Sequence, residues 1–275
     1  MNREMGEEKR QKHRQEDLER LKRFTPMDDT FMRCMFKDNL PLAQMVLRII
    51  LEKDDLVLIR CETQADMKRV TGARSICLDA YGTDSTGKKY NIEVQRVNDT
   101  ALIKRARYHS SILDVENLDE GQHFDELPDT YVIFIMQNDI FGRGLPIYKA
   151  KTTVAGTDIN YEDGKHIWYV NGTYRGDDAI GRLMHDFSCN EASNMSYQLM
   201  AERTKYLKEN MKGVQEMCRI SEEIREEGRL EGYAEGEKEK SKEMAKILYS
   251  EGDSLEKIAR VTCVNVNQVK EWLSC

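Results

Sequence analysis

The stretch RSICLDAYGTDSTGKKYNIEVQR, residues 74–96, decides how the chain folds. Two short runs of alternating apolar and polar residues flank the polar segment Asp84-Ser85-Thr86-Gly87, which is the pattern of a β-hairpin. A turn at those four residues pairs 83 with 89, 81 with 91 and 79 with 93. Ile76, Leu78 and Ala80 then share one face with Tyr90, Ile92 and Val94, and Cys77, Asp79 and Tyr81 share the other with Asn91, Glu93 and Gln95. The first face is expected to be core and the second polar. Asp79 faces Glu93 in this register, with Cβ atoms about 5 Å apart. Two like charges that close repel, so one takes up a proton or both share a cation. A hard divalent ion such as Mg2+, which prefers oxygen ligands and keeps several waters, suits one Asp with one Glu. Gln95, on the same face as Glu93, is placed to orient an attacking or ion-bound water. These are the parts of a metal-dependent phosphodiester-cleaving centre. The plainer reading of the spacing is an exposed hairpin face carrying ordinary polar residues.

Outward from the hairpin, DLVLIRC (55–61) reads as a further strand, and TYVIFIMQ (130–137) as a strand covered on both faces. PIYKAK (146–151) and KHIWYV (165–170) are weaker strand patterns, and DTALIKRARYHSSILD (99–114) has helical spacing. Upstream, TPMDDTFMRCMFKDN (25–39) predicts a helix with Thr25 as N-cap and Pro26 at its first position, and LPLAQMVLRIILEK (40–53) a second. The order helix, three strands, helix, strand describes an α/β fold with a mixed sheet flanked by helices. Residues 1–24 read as a charged tail, 25–190 as the α/β domain, 191–240 as a charged helical stalk and 241–275 as a small helical module. In that module Ser254 and Asn265 are expected N-caps. Its short helices have the outline of a helix-turn-helix, although the last offers only Lys270 as a basic group. A packing or self-association module is the alternative.

The chain has 275 residues, 40% hydrophobic and 33% charged, with a net charge of −7, so any hold on nucleic acid needs a local basic patch. Residues 60–107 supply one, with ten Lys/Arg against six Asp/Glu. Lys104, Arg105, Arg107 and Tyr108 are its candidate DNA contacts, and a solvated helix face is the other reading. No apolar run approaches the roughly 20 residues that cross a bilayer, and the first residues are charged rather than apolar. A soluble, cytoplasmic protein without a membrane partner is expected. The seven cysteines include no CxxC pair, and the five histidines no HxxxH or HxH pair, so reduced thiols and no zinc site are expected. His109, the histidine nearest the hairpin site, is expected to pack or cap. No GxxxxGK loop suggests use of ATP.

Asp79 with Glu93-Val94-Gln95 resembles the PD-(D/E)xK nuclease signature, and the order of elements is similar to that superfamily's restriction-endonuclease-like core. More closely, the chain resembles the Rpn family of bacterial recombination-promoting nucleases or transposases. The resemblance rests on TPMDDTFMRCMF (25–36), RARYHSSIL (105–113), YVIFIM (131–136) and a Gly-Glu repeat followed by SLEKIARVTCVNVNQVKEWL (254–273). It implies a DNA endonuclease dependent on Mg2+ or another divalent cation and tied to recombination or mobile elements. Asp79 and Glu93 would be metal ligands, Gln95 would take the place usually held by lysine, and Asp28 would be an additional acidic group. Lysine brings a fixed charge to the phosphate and glutamine only a dipole. Asp28 also reads as the acidic half of a capping box with Thr25. DNA and a second copy of the chain, as a homodimer or higher homo-oligomer, are the implied partners. A non-catalytic DNA-binding or oligomerising adaptor on the same fold is the rival function.

Overall fold

The computed structural model describes residues 19, 22–67, 76–95, 101–159 and 161–274, with backbone alone at 64–67, 76–79, 95, 227 and 231. Helices α1 (Asp29–Phe36) and α2 (Leu40–Leu51) lead into strands β1 (Leu58–Met67), β2 (Ile76–Asp84) and β3 (Lys89–Gln95). Helix α3 (Leu102–Glu116) follows, then β4 (Thr130–Met136), β5 (Ile147–Ala150) and β6 (Lys165–Asn171). The chain continues through α4 (Ala179–Ser188), α5 (Gln198–Glu209), α6 (Met211–Ser250), α7 (Leu255–Val261) and α8 (Val266–Leu273). It divides into two compact units, residues 1–220 and 221–275.

The expected hairpin forms in the expected register. β2 and β3 pair antiparallel through Thr83↔Lys89, Gly82↔Tyr90, Tyr81↔Asn91 and Ala80↔Ile92. Asp84 closes the turn: its Oδ1 accepts from the Thr86 backbone, the Thr86 hydroxyl and the Lys88 backbone, and its Oδ2 accepts from the Tyr90 hydroxyl at 2.7 Å. Gly87 supplies a φ of +88°, which a side chain would resist. The six-stranded sheet runs β1-β2-β3-β4-β6-β5, with β3, β4 and β6 mutually parallel and the rest antiparallel. β4 lies inside it and every residue of β4 is buried, as its unbroken apolar run requires. The two weak strand patterns are β5 and β6, which extend the sheet.

Two expectations change. Helix α1 begins with Asp28, not Thr25, at its N-cap. The Asp28 carboxylate instead turns back to accept from the Thr25 backbone at 2.8 Å and the Thr25 hydroxyl at 3.2 Å, closing a separate turn before the helix. The alternative reading of the second hairpin face as exposed also changes, because Asn91 and Glu93 on it are buried. A parallel β3–β4 pair needs a crossover, and α3 supplies it. Its stripe of Leu102, Ala106, Ile112 and Leu113 packs on Val132, Phe134, Met136 and Tyr169, with Tyr81 at the margin. The opposite face is buried too. Lys53, just past α2, reaches the Tyr131 hydroxyl at 3.4 Å, and the Tyr131 ring stacks on Tyr90.

Gly172, directly after β6, donates its N–H to the Met136 carbonyl at 2.8 Å. A Cβ there would stand 2.1 Å from that oxygen and 2.5 Å from Met27 Cε. Gly172→Ala is therefore expected to destabilise the first unit by about 1–3 kcal/mol, read as a lower urea midpoint at unchanged slope.

In the same unit α5 buries Met200, Thr204 and Leu207. Cys34 is fully buried, which pushes its thiol up to about 12 and keeps it unreactive. In the second unit, Ala245 of α6 forms a small core with Ile258, Ala259, Val269 and Trp272 from the α7–α8 region. Ser254 and Asn265 cap α7 and α8 as expected, accepting from Lys257 N and Gln268 N. No helix among the described residues is long and apolar enough to cross a membrane.

Candidate active site

Glu93 is the centre of the arrangement. It sits inside β3, opposite Phe134 of the parallel neighbour β4, and is wholly buried. Period-two alternation sends it to the face that α3 covers, so its carboxylate meets the helix rather than water. α3 answers with two nitrogen-bearing side chains one helical turn apart. His109 Nδ1 and Arg105 Nη2 each lie 3.6 Å from a Glu93 oxygen. Asn91, two residues before Glu93 and therefore on the same face, donates Nδ2 to Glu93 Oε1 at 3.2 Å. Arg105 Nε donates to His109 Nε2 at 3.4 Å, and Asn91 Nδ2 lies 3.4 Å from the other ring nitrogen, Nδ1, which faces Glu93. A buried carboxylate is tolerable only when paired and hydrogen-bonded, and Glu93 is both.

Asp79 lies on β2 next to Ala80, whose partner Ile92 precedes Glu93 on β3. Gln95 ends β3 beside Met136. The side chains of Asp79 and Gln95 lie outside the described residues. Asp28 lines a different feature, a cavity of about 710 Å³ shared with Arg23, Asn138, Thr173 and Arg175 just beyond the ends of β4 and β6. Lys89, at the opposite end of β3, donates to the Thr83 hydroxyl at 3.2 Å.

Of the four basic-patch candidates, Lys104 and Arg107 are exposed on α3, Arg105 joins Glu93, and Tyr108 is half-buried against the α3–sheet core. The sequence reading misses His109 as a member of the site, since an isolated histidine on an apolar stripe reads as packing. The signal was the Arg105-x-x-x-His109 spacing within a stripe that also holds Leu102, Ala106 and Leu113.

The donor chemistry fits a hard cation. Asn91 Oδ1 is buried beside Glu93 with no hydrogen-bond partner among the described residues, an oxygen left available next to a carboxylate. His109, which packs on Phe134 with ring centres 5.7 Å apart, holds that carboxylate from behind.

Residues 35–158 match the family model described as PD-(D/E)XK nuclease family transposase. The match spans Asp79, Glu93, Gln95 and all of α3. No curated protein and no solved structure matches the chain.

Proposed function

From the match of residues 35–158 to the family model described as PD-(D/E)XK nuclease family transposase, we infer that this protein is a divalent-metal-dependent DNA endonuclease acting in recombination or transposition. The observation that carries the reading is the buried Glu93 carboxylate, held by Asn91, Arg105 and His109 on the strand that pairs with the one bearing Asp79. Asp79 and Glu93 hold the cation, with Mg2+ the natural choice for an all-oxygen donor set. When bound, the cation supplies Lewis acidity at the scissile phosphate and a water of lowered pKa. Arg105 and His109 fix the orientation of Glu93, and Gln95 holds the attacking water by its amide. Exposed Lys104 and Arg107 neutralise neighbouring phosphates. Asp28 adds an acid at the ends of the parallel strands. One such centre cuts one strand, so double-strand cleavage calls for a homodimer or higher homo-oligomer. The protein works in the bacterial cytoplasm.

Supercoiled plasmid incubated with the purified chain and Mg2+ is expected to be nicked, with EDTA abolishing the reaction and Asp79→Ala losing it. Equal nicking by the wild type and the variant would overturn the assignment. The adaptor reading draws on the same burial of Glu93, whose side chain is only 1% exposed. Salt-sensitive DNA binding without nicking by the wild type would favour it.

His109 contacts the ligand rather than the cation, and such supporting groups are worth about 10–100-fold in metal affinity. His109→Ala is accordingly expected to move the midpoint of the Mg2+ dependence of nicking upward by that factor, with activity recovered at high Mg2+. An unchanged midpoint would show that His109 only packs.

A further inference from the structure

His185, Asp186 and Cys189, at the end of α4, bring three different ligand atoms together in the first unit. His185 and Cys189 are one helical turn apart, a spacing outside the CxxC and HxxxH patterns whose absence argues against a zinc site from sequence. Two of the donor-atom separations come close to those of a coordination shell. Tetrahedral zinc has bonds of about 2.0–2.3 Å to N, O and S, which makes the ligand-to-ligand edges roughly 3.3–3.6 Å. His185 Nδ1 lies 3.3 Å from Asp186 Oδ1 and 3.7 Å from Cys189 Sγ, and all three donors fall within 4.8 Å of one another.

Asp186 adds an independent observation. It is fully buried, and its two oxygens accept from the backbones of Ser196 and Tyr197 at 2.8 Å each. Those bonds fix the carboxylate without neutralising it. Among the described residues its ion-pair partner is His185, a side chain 46% exposed. A buried carboxylate so weakly compensated favours a cation beside it, and the last turn of α4 points the negative end of its dipole the same way.

We propose that His185, Asp186 and Cys189 form a binding site for a borderline-soft divalent ion of the Zn2+ class, with water completing the tetrahedron. A mixed N/O/S set selects such an ion over Mg2+, so this site is chemically distinct from the all-oxygen centre at Glu93. Its role is structural. The ion fastens the end of α4 to the segment 190–197 that leads into α5.

The test uses the full chain, stripped with EDTA and titrated with Co2+. A single equivalent is expected to bring a near-ultraviolet thiolate-to-cobalt charge-transfer band with visible bands of tetrahedral intensity, and Zn2+ should bleach both. Cys189→Ser is expected to abolish the charge-transfer band. His185→Ala, a change at a half-exposed position that circular dichroism can verify as folded, is expected to weaken Co2+ binding at least tenfold. No charge-transfer band in the wild type, or one that survives in both variants, would overturn the site. DNA cleavage plays no part in the readout, so the outcome is independent of the nuclease assignment.

Discussion

Glu93→Gln is expected to lower Mg2+-dependent plasmid nicking by about 10²-fold or more, a loss typical of removing one preorganised electrostatic group from a reaction centre. The substitution keeps the shape of the side chain and removes the charge on which both the cation and α3 rely. Breaking a buried ion pair by deleting one partner costs about 3–5 kcal/mol when the other charge is trapped. Here the charged partner is not trapped: Arg105 is 43% exposed and can turn to water. The stability cost should therefore fall well below that range, and circular dichroism and urea unfolding should show a folded chain. Loss of cleavage with retained fold separates chemistry from structure. Cleavage at the wild-type rate would move the catalytic centre away from β3.

Phe134→Ala should give the largest loss of stability, about 3–5 kcal/mol. Phe134 is fully buried in β4, and its ring lies 6.0 Å from Tyr169 and 5.7 Å from His109. Truncation leaves a cavity between the sheet and α3 that strands hydrogen-bonded on both sides cannot close. For a unit of this size the loss corresponds to a fall in Tm of about 6–20 °C. Phe134→Leu keeps most of the volume and the fold but gives His109 a less definite wall. Its nicking should need more Mg2+, in the same direction as His109→Ala, while its unfolding midpoint drops far less. An Ala variant as stable as the wild type would show that α3 is not seated on this face.

The hairpin register, the fully buried β4 and the caps at Ser254 and Asn265 are all written locally in the sequence. Each depends on residues a few positions apart: a period of two around a turn, an unbroken apolar run, a side-chain oxygen beside a free backbone N–H. The α/β class and the placing of Asp79 and Glu93 on adjacent strands follow from the same short-range rules. Residue order could not reveal what the second face of β3 meets. Covering that face depends on the crossover that a parallel β3–β4 pair requires, and on which stripe of α3 buries the most apolar surface. The tertiary structure alone therefore seats His109 and Arg105 against Glu93, covers Asn91 and Glu93 with α3, and sets Asp28 on a cavity just beyond the ends of β4 and β6. It also bends the chain after α4 so that Ser196 and Tyr197 hold Asp186 in place beside His185 and Cys189. Local chemistry sets which elements form, whereas the sites between them exist only once distant apolar surfaces have been buried together.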